Sequence, residues 1–449
     1  MNRRILFIYL LFCFLCQNEI WAQTELNVKL SPGNTPLSQI LSQISEGVEN
    51  FDPSNEYINN YPFLTTTQAV KKLVNSENIA ELDQWYTIQF PGDARGRFAE
   101  LQNSGLFLAV ELNRTVSLHA DQASMFVPND DSLANQWYHD FIESFAAWDI
   151  TQGSADIRIG VIDTGLDYLH PEFDGQLAIN RLEDLNGNGR FDPWPATEIR
   201  NGISGDFNGL DEDNNGYPDD VIGYDFTDQP RSPFGGDYLF EDPDPWDDND
   251  HGTVVSGIIS AKSDNQIGGA GLAPGCKLSV IRAFSSTGAG EDDDIARAII
   301  YAADNGIQIL NFSFGDIYPS LMMHDAIKYA YAKGVIMVSS AGNGTGDALH
   351  YPSGFNEVIS VSASAADLAT GDEFLWPLSS YGVTVDLCAP GSGIFTTAPL
   401  DTANNGQITA YGRFNGTSAS APMVASAVAL IFSENGVLSP QQVRGILTS

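Results

Sequence analysis

The chain has 449 residues, 43% of them hydrophobic, and carries 58 Asp and Glu against 21 Lys and Arg, for a net charge of −37. That balance argues against nucleic acid as a partner, since holding a phosphate backbone takes clustered Lys and Arg; the length suits one large domain plus something smaller. The acid is concentrated: residues 201–250 hold 15 Asp and Glu and a single basic residue, Arg231, a block that reads either as solvated surface or as a cation site.

At the N-terminus, Arg3 and Arg4 precede a 12-residue apolar run, Ile5 to Cys16, and Ala22 offers a small residue for cleavage. This is the pattern of an export signal over 1–22, and the run is too short for the ~20 residues a bilayer span needs. The protein is therefore expected outside the cell, secreted or at the cell surface, with no membrane span. Cys13 and Cys16 leave with the signal. Cys276 and Cys388 remain; they could pair, but two buried thiols acting as small hydrophobes is the preferred reading.

Residues 23 to about 80 are polar and weakly patterned, with Pro32, Asn34 and Pro36 marking loops. A compact unit follows. Trp85 to Phe90 and Leu106 to Leu112 look like strands, and Ala94 to Asn103 has helical character. The expectation is a small α+β segment within 23–126, inhibitor-like from about 80. A polar, turn-rich junction, Val127-Pro128-Asn129-Asp130-Asp131, follows it.

From Asp156 the pattern changes. Apolar runs at Ile157 to Ile162, Lys277 to Ile281, Ile307 to Asn311, Val335 to Ser339 and Val358 to Val361 alternate with helical stretches such as Asp292 to Asn305 and Ser320 to Ala332. Such alternation implies an α/β fold, a mainly parallel central sheet covered on both faces, with functional residues at the carboxyl ends of strands. Asp163 and Asn311 fall at such ends, and Asn343 follows one. The run Ala421 to Phe432 is apolar on nearly every side and reads as a buried helix, with Pro422 in its first turn and Ser418 at its N-terminus. There, free N–H groups and the helix dipole favour a negative charge. A Ser in that place is ordinarily a helix cap.

Two segments change that reading. Val161-Ile162-Asp163-Thr164-Gly165 puts a carboxylate at a strand end, and Asn249-Asp250-His251-Gly252-Thr253 puts an imidazole at the start of an apolar helical stretch. A carboxylate that orients an imidazole, an imidazole that takes a proton, and a hydroxyl that attacks make a hydrolytic triad. Other hydrolase patterns fail. The Gly-x-Ser-x-Gly elbow would need a Gly where Ser420 stands, and the six histidines (119, 139, 170, 251, 324 and 350) contain no His-Glu-x-x-His pair.

With Asp163-Thr164-Gly165, His170-Pro171, His251-Gly252-Thr253, Gly271-Leu272-Ala273-Pro274, Ala341-Gly342-Asn343, Tyr351-Pro352-Ser353, Ala389-Pro390-Gly391 and Gly416-Thr417-Ser418 in this order, the chain from about Pro128 resembles the subtilisin-like serine proteases. The resemblance implies a three-layer subtilisin-like sandwich over 127–449 and a serine endopeptidase. Ser418 would be the nucleophile, His251 the base, Asp163 its orienter and Asn343 an oxyanion donor. Gly288-Ala289-Gly290 and Ser313-Phe314-Gly315 would pair with an extended peptide substrate, with Phe314, Ala341 and Gly342 around the specificity pocket. It also implies a proenzyme, whose pro-segment folds against the catalytic domain and leaves by self-cleavage, and a monomer whose partners are protein substrates and its own propeptide. The family usually continues past a position like Ser449, so the catalytic domain is expected to be truncated.

The acidic insertion, about 181–249, carries two loops with oxygen ligands at alternate positions and a Gly at the turn. Asp211, Asp213, Asn215, Asp219 and Asp220 form one; Asp184, Asn186, Asn188 and Asp192 form the other. Both suggest calcium, though Ile222 stands where an EF-hand would have its last Glu; Asx-rich turns are the plain alternative. By resemblance, the loop with Asn265 is a third calcium site, with Glu172 as a ligand. The competing function is a non-catalytic, calcium-stabilised surface or adhesion module on a protease fold.

Overall fold

The computed structural model describes residues 25–30, 37, 41, 69–72, 85–90, 95–112, 126–228, 240–347, 349–401 and 409–449. The expected signal segment, with Cys13 and Cys16, lies outside the described residues, as does much of 31–84. Two compact units are present, one within Cys16–Gln122 and one within Ala123–Ser449.

The smaller unit is a four-stranded antiparallel sheet. Its strands are β1 (Glu25–Leu30), β2 (Ala69–Lys72), β3 (Trp85–Gln89) and β4 (Phe107–Leu112), in the order β2-β3-β1-β4. Val28, Leu30, Tyr86, Ile88, Phe107 and Leu101 of the helix Arg95–Asn103 bury together. The helix and β3 and β4 lie where the sequence places them. β1 is an element the polar reading of 23–80 missed, although Leu26, Val28 and Leu30 alternate with polar residues at a strand's period of two.

The larger unit contains β5 (Arg158–Asp163), the short hairpin β6 (Ile199–Arg200) and β7 (Ile203–Ser204), β8 (Gly223–Asp225), β9 (Lys277–Arg282), β10 (Ile309–Phe312), β11 (Ile336–Ser340), β12 (Val358–Asp367), β13 (Asp372–Leu375), β14 (Leu387–Pro390) and the hairpin β15 (Ile394–Asp401) and β16 (Thr409–Phe414). Its eight-stranded sheet runs β13-β12-β11-β10-β5-β9-β8, with β14 also on β12. Every pairing is parallel except that of β13.

Side chains alternate across this sheet, and each face has its own cover. Ile159, Val161, Ile309, Ile336 and Val338 pack with the helices His251–Ser260 and Thr417–Glu434. Ile162, Leu310 and Met337 pack on the other side with Asp292–Asp304 and Leu321–Ala332. The three-layer α/β architecture is as expected. Part of the acidic insertion, however, belongs to the sheet. β8 docks on β9 through Gly223 at φ 140°, where a Cβ would meet the Val280 carbonyl oxygen at 1.7 Å, so only glycine fits. Cys276 and Cys388 are free thiols.

Candidate active site

Asp163 ends β5 and His251 opens a ten-residue helix. The imidazole Nδ1 lies 2.7 Å from Asp163 Oδ1. A carboxylate can only accept, so Nδ1 carries the proton and Nε2 is left with its lone pair. The Thr164 amide donates to the same oxygen at 2.8 Å. Burial lowers the pKa of His251, but Asp163 and then Asp247 favour the imidazolium more strongly, and the net shift is upward from 6.5.

Asp247 is a residue that sequence reasoning left in the acidic block. It is buried and ties the two segments together. Oδ1 accepts from Thr164 Oγ1 (2.9 Å), Asn249 N (3.0 Å) and Asp250 N (3.0 Å), and Oδ2 from Thr253 N (2.9 Å) and Thr253 Oγ1 (2.6 Å). Arg282, fully buried at the end of β9, braces the same loop through the Trp246 carbonyl (2.9 Å) and Asp248 (3.0 Å). It also pairs with Asp225 at 3.4 Å, whose carboxyl burial pushes up to about 8 despite Arg282. The signal available in the sequence was Arg282, a charged residue directly after the apolar pair Val280 and Ile281.

Ser418 is the second residue of the helix Thr417–Glu434, whose cap is Gly416 at φ 131°. The helix begins earlier than the apolar run suggested, so Pro422 lies inside it and not in its first turn. A proline has no N–H for the carbonyl four residues back, here that of Ser418. Ser313 fills that gap: its hydroxyl donates to the Ser418 carbonyl at 2.9 Å and itself accepts from Asn311 Nδ2 at 2.9 Å. In return the Ser418 hydroxyl donates to the Ser313 carbonyl at 3.0 Å. The side chain is thus turned to Ser313, and the structure gives no bond from it to His251. Asn343 accepts with its oxygen from Thr417 N (3.0 Å) and Thr417 Oγ1 (3.1 Å), which leaves its NH2 as the end it can offer.

Of the two segments expected to pair with substrate, the second touches this helix start through Ser313. In the first, Ala289 and Gly288 close a turn on Ser285. In the second, Phe314 packs on Phe284 (ring centroids 4.7 Å) and Phe312 (5.5 Å). Between Gly315 and the Ala341-Gly342 turn sits His350, missed in the sequence. A Cβ on Gly315 would meet its ring at 2.3 Å and one on Gly342 at 2.8 Å.

The insertion forms real acidic clusters. Glu183, fully buried, shares one set of carboxylate oxygens with Asp213 and Asp220 and another with Glu212 and Asp219, each set within 4.8 Å. Calcium–oxygen distances of about 2.3–2.6 Å let one ion bridge such oxygens. Burial first, and a shared hydrogen bond with Glu212 second, push Glu183 up to about 7. Asn215 donates to Asp213 and Asp220, while Asp211 accepts from the Asn215 and Gly216 amides and so shapes the turn. In the other loop, Asn186 bridges Asp192 and a residue the sequence did not single out, Asp206, and Asn188 donates to Asp192 while Asp184 accepts from the Asn188 and Gly189 amides. Glu172 and Asn265 do meet, at 2.8 Å, and Tyr411 donates to Glu172 at 2.8 Å. Burial raises that carboxyl to about 7.

A family model described as the subtilase family matches residues 154–449. Among relatives, the thermophilic serine proteinase of Bacillus sp. strain AK1 is 33% identical over 290 residues, covering 64% of this chain and 55% of its own length. The chain thus spans about half of that relative. Thermitase of Thermoactinomyces vulgaris is 29% identical over 310 residues, covering 69% of this chain and 86% of thermitase. Of solved structures, a protease from Pseudoalteromonas arctica aligns with a TM-score of 0.55 at 24% identity, over 72% of this chain and 91% of that one, a likeness of fold alone.

Proposed function

The chain belongs to the subtilase family, and from that premise we propose that it is an exported serine endopeptidase that cleaves peptide bonds through Asp163, His251 and Ser418. The single observation that carries the reading is the 2.7 Å contact of His251 Nδ1 with a buried carboxylate, which leaves Nε2 ready to take a proton. Ser418 leaves its resting bond to Ser313, passes its proton to His251 Nε2 and attacks the scissile carbonyl. Asp163 holds the imidazole in one tautomer and favours the imidazolium that forms. The oxyanion is met by the Asn343 NH2 and the Ser418 N–H at a helix start, a place suited to negative charge. His251 hands that proton to the leaving amine as the C–N bond breaks, which leaves the acyl-enzyme; water then gives a proton to Nε2 and attacks the ester, and His251 returns the proton to the Ser418 oxygen as the acid departs.

An extended substrate would lie between Gly288-Ala289-Gly290 and Ser313-Phe314-Gly315, with the pocket bounded by Ala341, Gly342 and His350. The segment within 23–126 acts as a propeptide removed by the enzyme itself, and the mature protein works outside the cell as a monomer. Among the described residues no helix is long and apolar enough to cross a membrane. Calcium would be held by Glu183 with Asp213, Asp219 and Asp220, and by Glu172 with Asn265. Its part is to neutralise buried carboxylates and stiffen the loops.

A fluorophosphonate probe tests the reading. It should label the wild-type chain and not Ser418→Ala, and Ser418→Ala should accumulate as the uncleaved precursor. Absent labelling of folded wild type would favour a non-catalytic module; maturation of Ser418→Ala without help would remove self-processing alone.

A further inference from the structure

A fourth acidic cluster lies away from the loops considered above. Carboxylate oxygens of Asp228, Glu291 and Asp294 come within 4.8 Å of one another. Asp228 follows β8 by three residues. Glu291 and Asp294 open the helix Asp292–Asp304, directly after the turn Gly288-Ala289-Gly290.

Carboxylates at a helix start usually serve the helix. An N-cap side chain accepts from the first turn, and an acid three residues on reaches back to the cap's amide. Here Glu291, the N-cap, makes no capping bond with its side chain. Asp294, three residues on, has no exposed surface, and neither of its oxygens has a hydrogen-bond partner among the described residues. A buried carboxylate left in that state is costly unless it takes up a proton or a positive charge meets it. Among the described residues its one ion-pair partner, Arg297, is 3.8 Å away and is drawn off by Glu241 at 2.6 Å. Asp292 and Asp293 add further negative charge at the same helix end.

We propose that Asp228, Glu291 and Asp294 bind a hard divalent cation of the calcium class, which ties the chain after β8 to the start of the helix Asp292–Asp304. Two oxygens on one calcium ion lie at most about 5 Å apart, given calcium–oxygen distances of 2.3–2.6 Å, and the three carboxylates meet that limit. A bare ion reaches a wholly covered carboxylate that the bulkier head of a substrate lysine or arginine would not. Backbone oxygens and water would complete its shell.

The test uses the full chain carrying Ser418→Ala, so that proteolysis does not interfere. Calcium is titrated calorimetrically into chelator-treated protein, and melting temperature is read with calcium and with chelator. Asp294→Asn should bind one calcium ion fewer per chain than its parent. Without metal it should melt at or above the parent, because a buried repulsion is gone; with calcium it should gain less. Glu183→Gln, in the other cluster, should leave this ion in place, so that Asp294→Asn still removes one from it. An equal stoichiometry and an equal calcium-induced rise in Asp294→Asn and parent would overturn the proposal. So would an unchanged calcium response together with a metal-free protein weakened by Arg231→Gln, since the cation would then come from the chain itself.

Discussion

Asp247→Asn probes how the two halves of the acid–base pair are held together. Asp247 accepts three bonds at Oδ1, from Thr164, Asn249 and Asp250, and two at Oδ2, both from Thr253. An amide has one accepting end. Its better orientation keeps the three and turns an NH2 against the two Thr253 donors. Two lost bonds at about 1–1.5 kcal/mol each give a destabilisation of about 2–3 kcal/mol. For the unit Ala123–Ser449, with an unfolding entropy of about 2.1 cal/mol/K per residue, that is roughly 3–4 °C in melting temperature. The substitution also removes a negative charge that favours the His251 imidazolium. The acid limb of kcat/KM should therefore move to lower pH. Melting is measured by calorimetry on an Asp247→Asn, Ser418→Ala chain, and the pH profile on active Asp247→Asn with a chromogenic peptide. An unchanged melting temperature together with an unmoved acid limb would refute the reasoning.

Three further outcomes follow from the same geometry. For wild type, kcat/KM should fall on acidification through a pKa above 6.5, because the raised His251 loses its base form at a higher pH than an ordinary histidine does; Asp163→Asn should shift that limb to lower pH while cutting kcat, and a limb unmoved by Asp163→Asn would count against the pair. Asn343→Leu should lower kcat by about 10²–10³ with little change in KM, as removal of one oxyanion donor does elsewhere, and a matching loss in KM instead would assign Asn343 to substrate binding. Chelator should lower the melting temperature of Ser418→Ala, by an amount equivalent to about 4 kcal/mol if calcium had been present at 1,000 times its Kd, and an unchanged melting curve would remove calcium from the account.

The parallel sheet was legible because its strands are buried on both faces and so read as apolar runs, and Asp163 and His251 were legible because each interrupts or opens such a run. What escaped was carried by contacts between distant segments. Asp247 looks like its acidic neighbours until Thr164 and Thr253 close on it. Glu183 lies just ahead of one loop pattern, 184–192, but joins the carboxylates of the other, 211–220. β8, Gly223-Tyr224-Asp225, is three residues long and too short to show a period. His350 has no marking in the sequence, because its place depends on two glycines that make room for it.

Pro422 is the detail that joins sequence to site most directly. Within a helix it should be a fault, since it deprives the Ser418 carbonyl of a partner. That carbonyl instead takes the Ser313 hydroxyl, and Ser313 is anchored by Asn311 at the end of β10. On the other side, Thr417 is gripped by Asn343 and by the Gly342 amide just past β11 (3.1 Å), and Gly416 donates to the Gly391 carbonyl just past β14 (2.8 Å). The start of the helix is therefore pinned by the carboxyl ends of three parallel strands rather than by its own hydrogen bonds alone. A site that must hold a hydroxyl, an amide and a helix end in fixed relation gains from strand ends that share one rigid sheet. The missing N–H of Pro422 is what lets β10 take part.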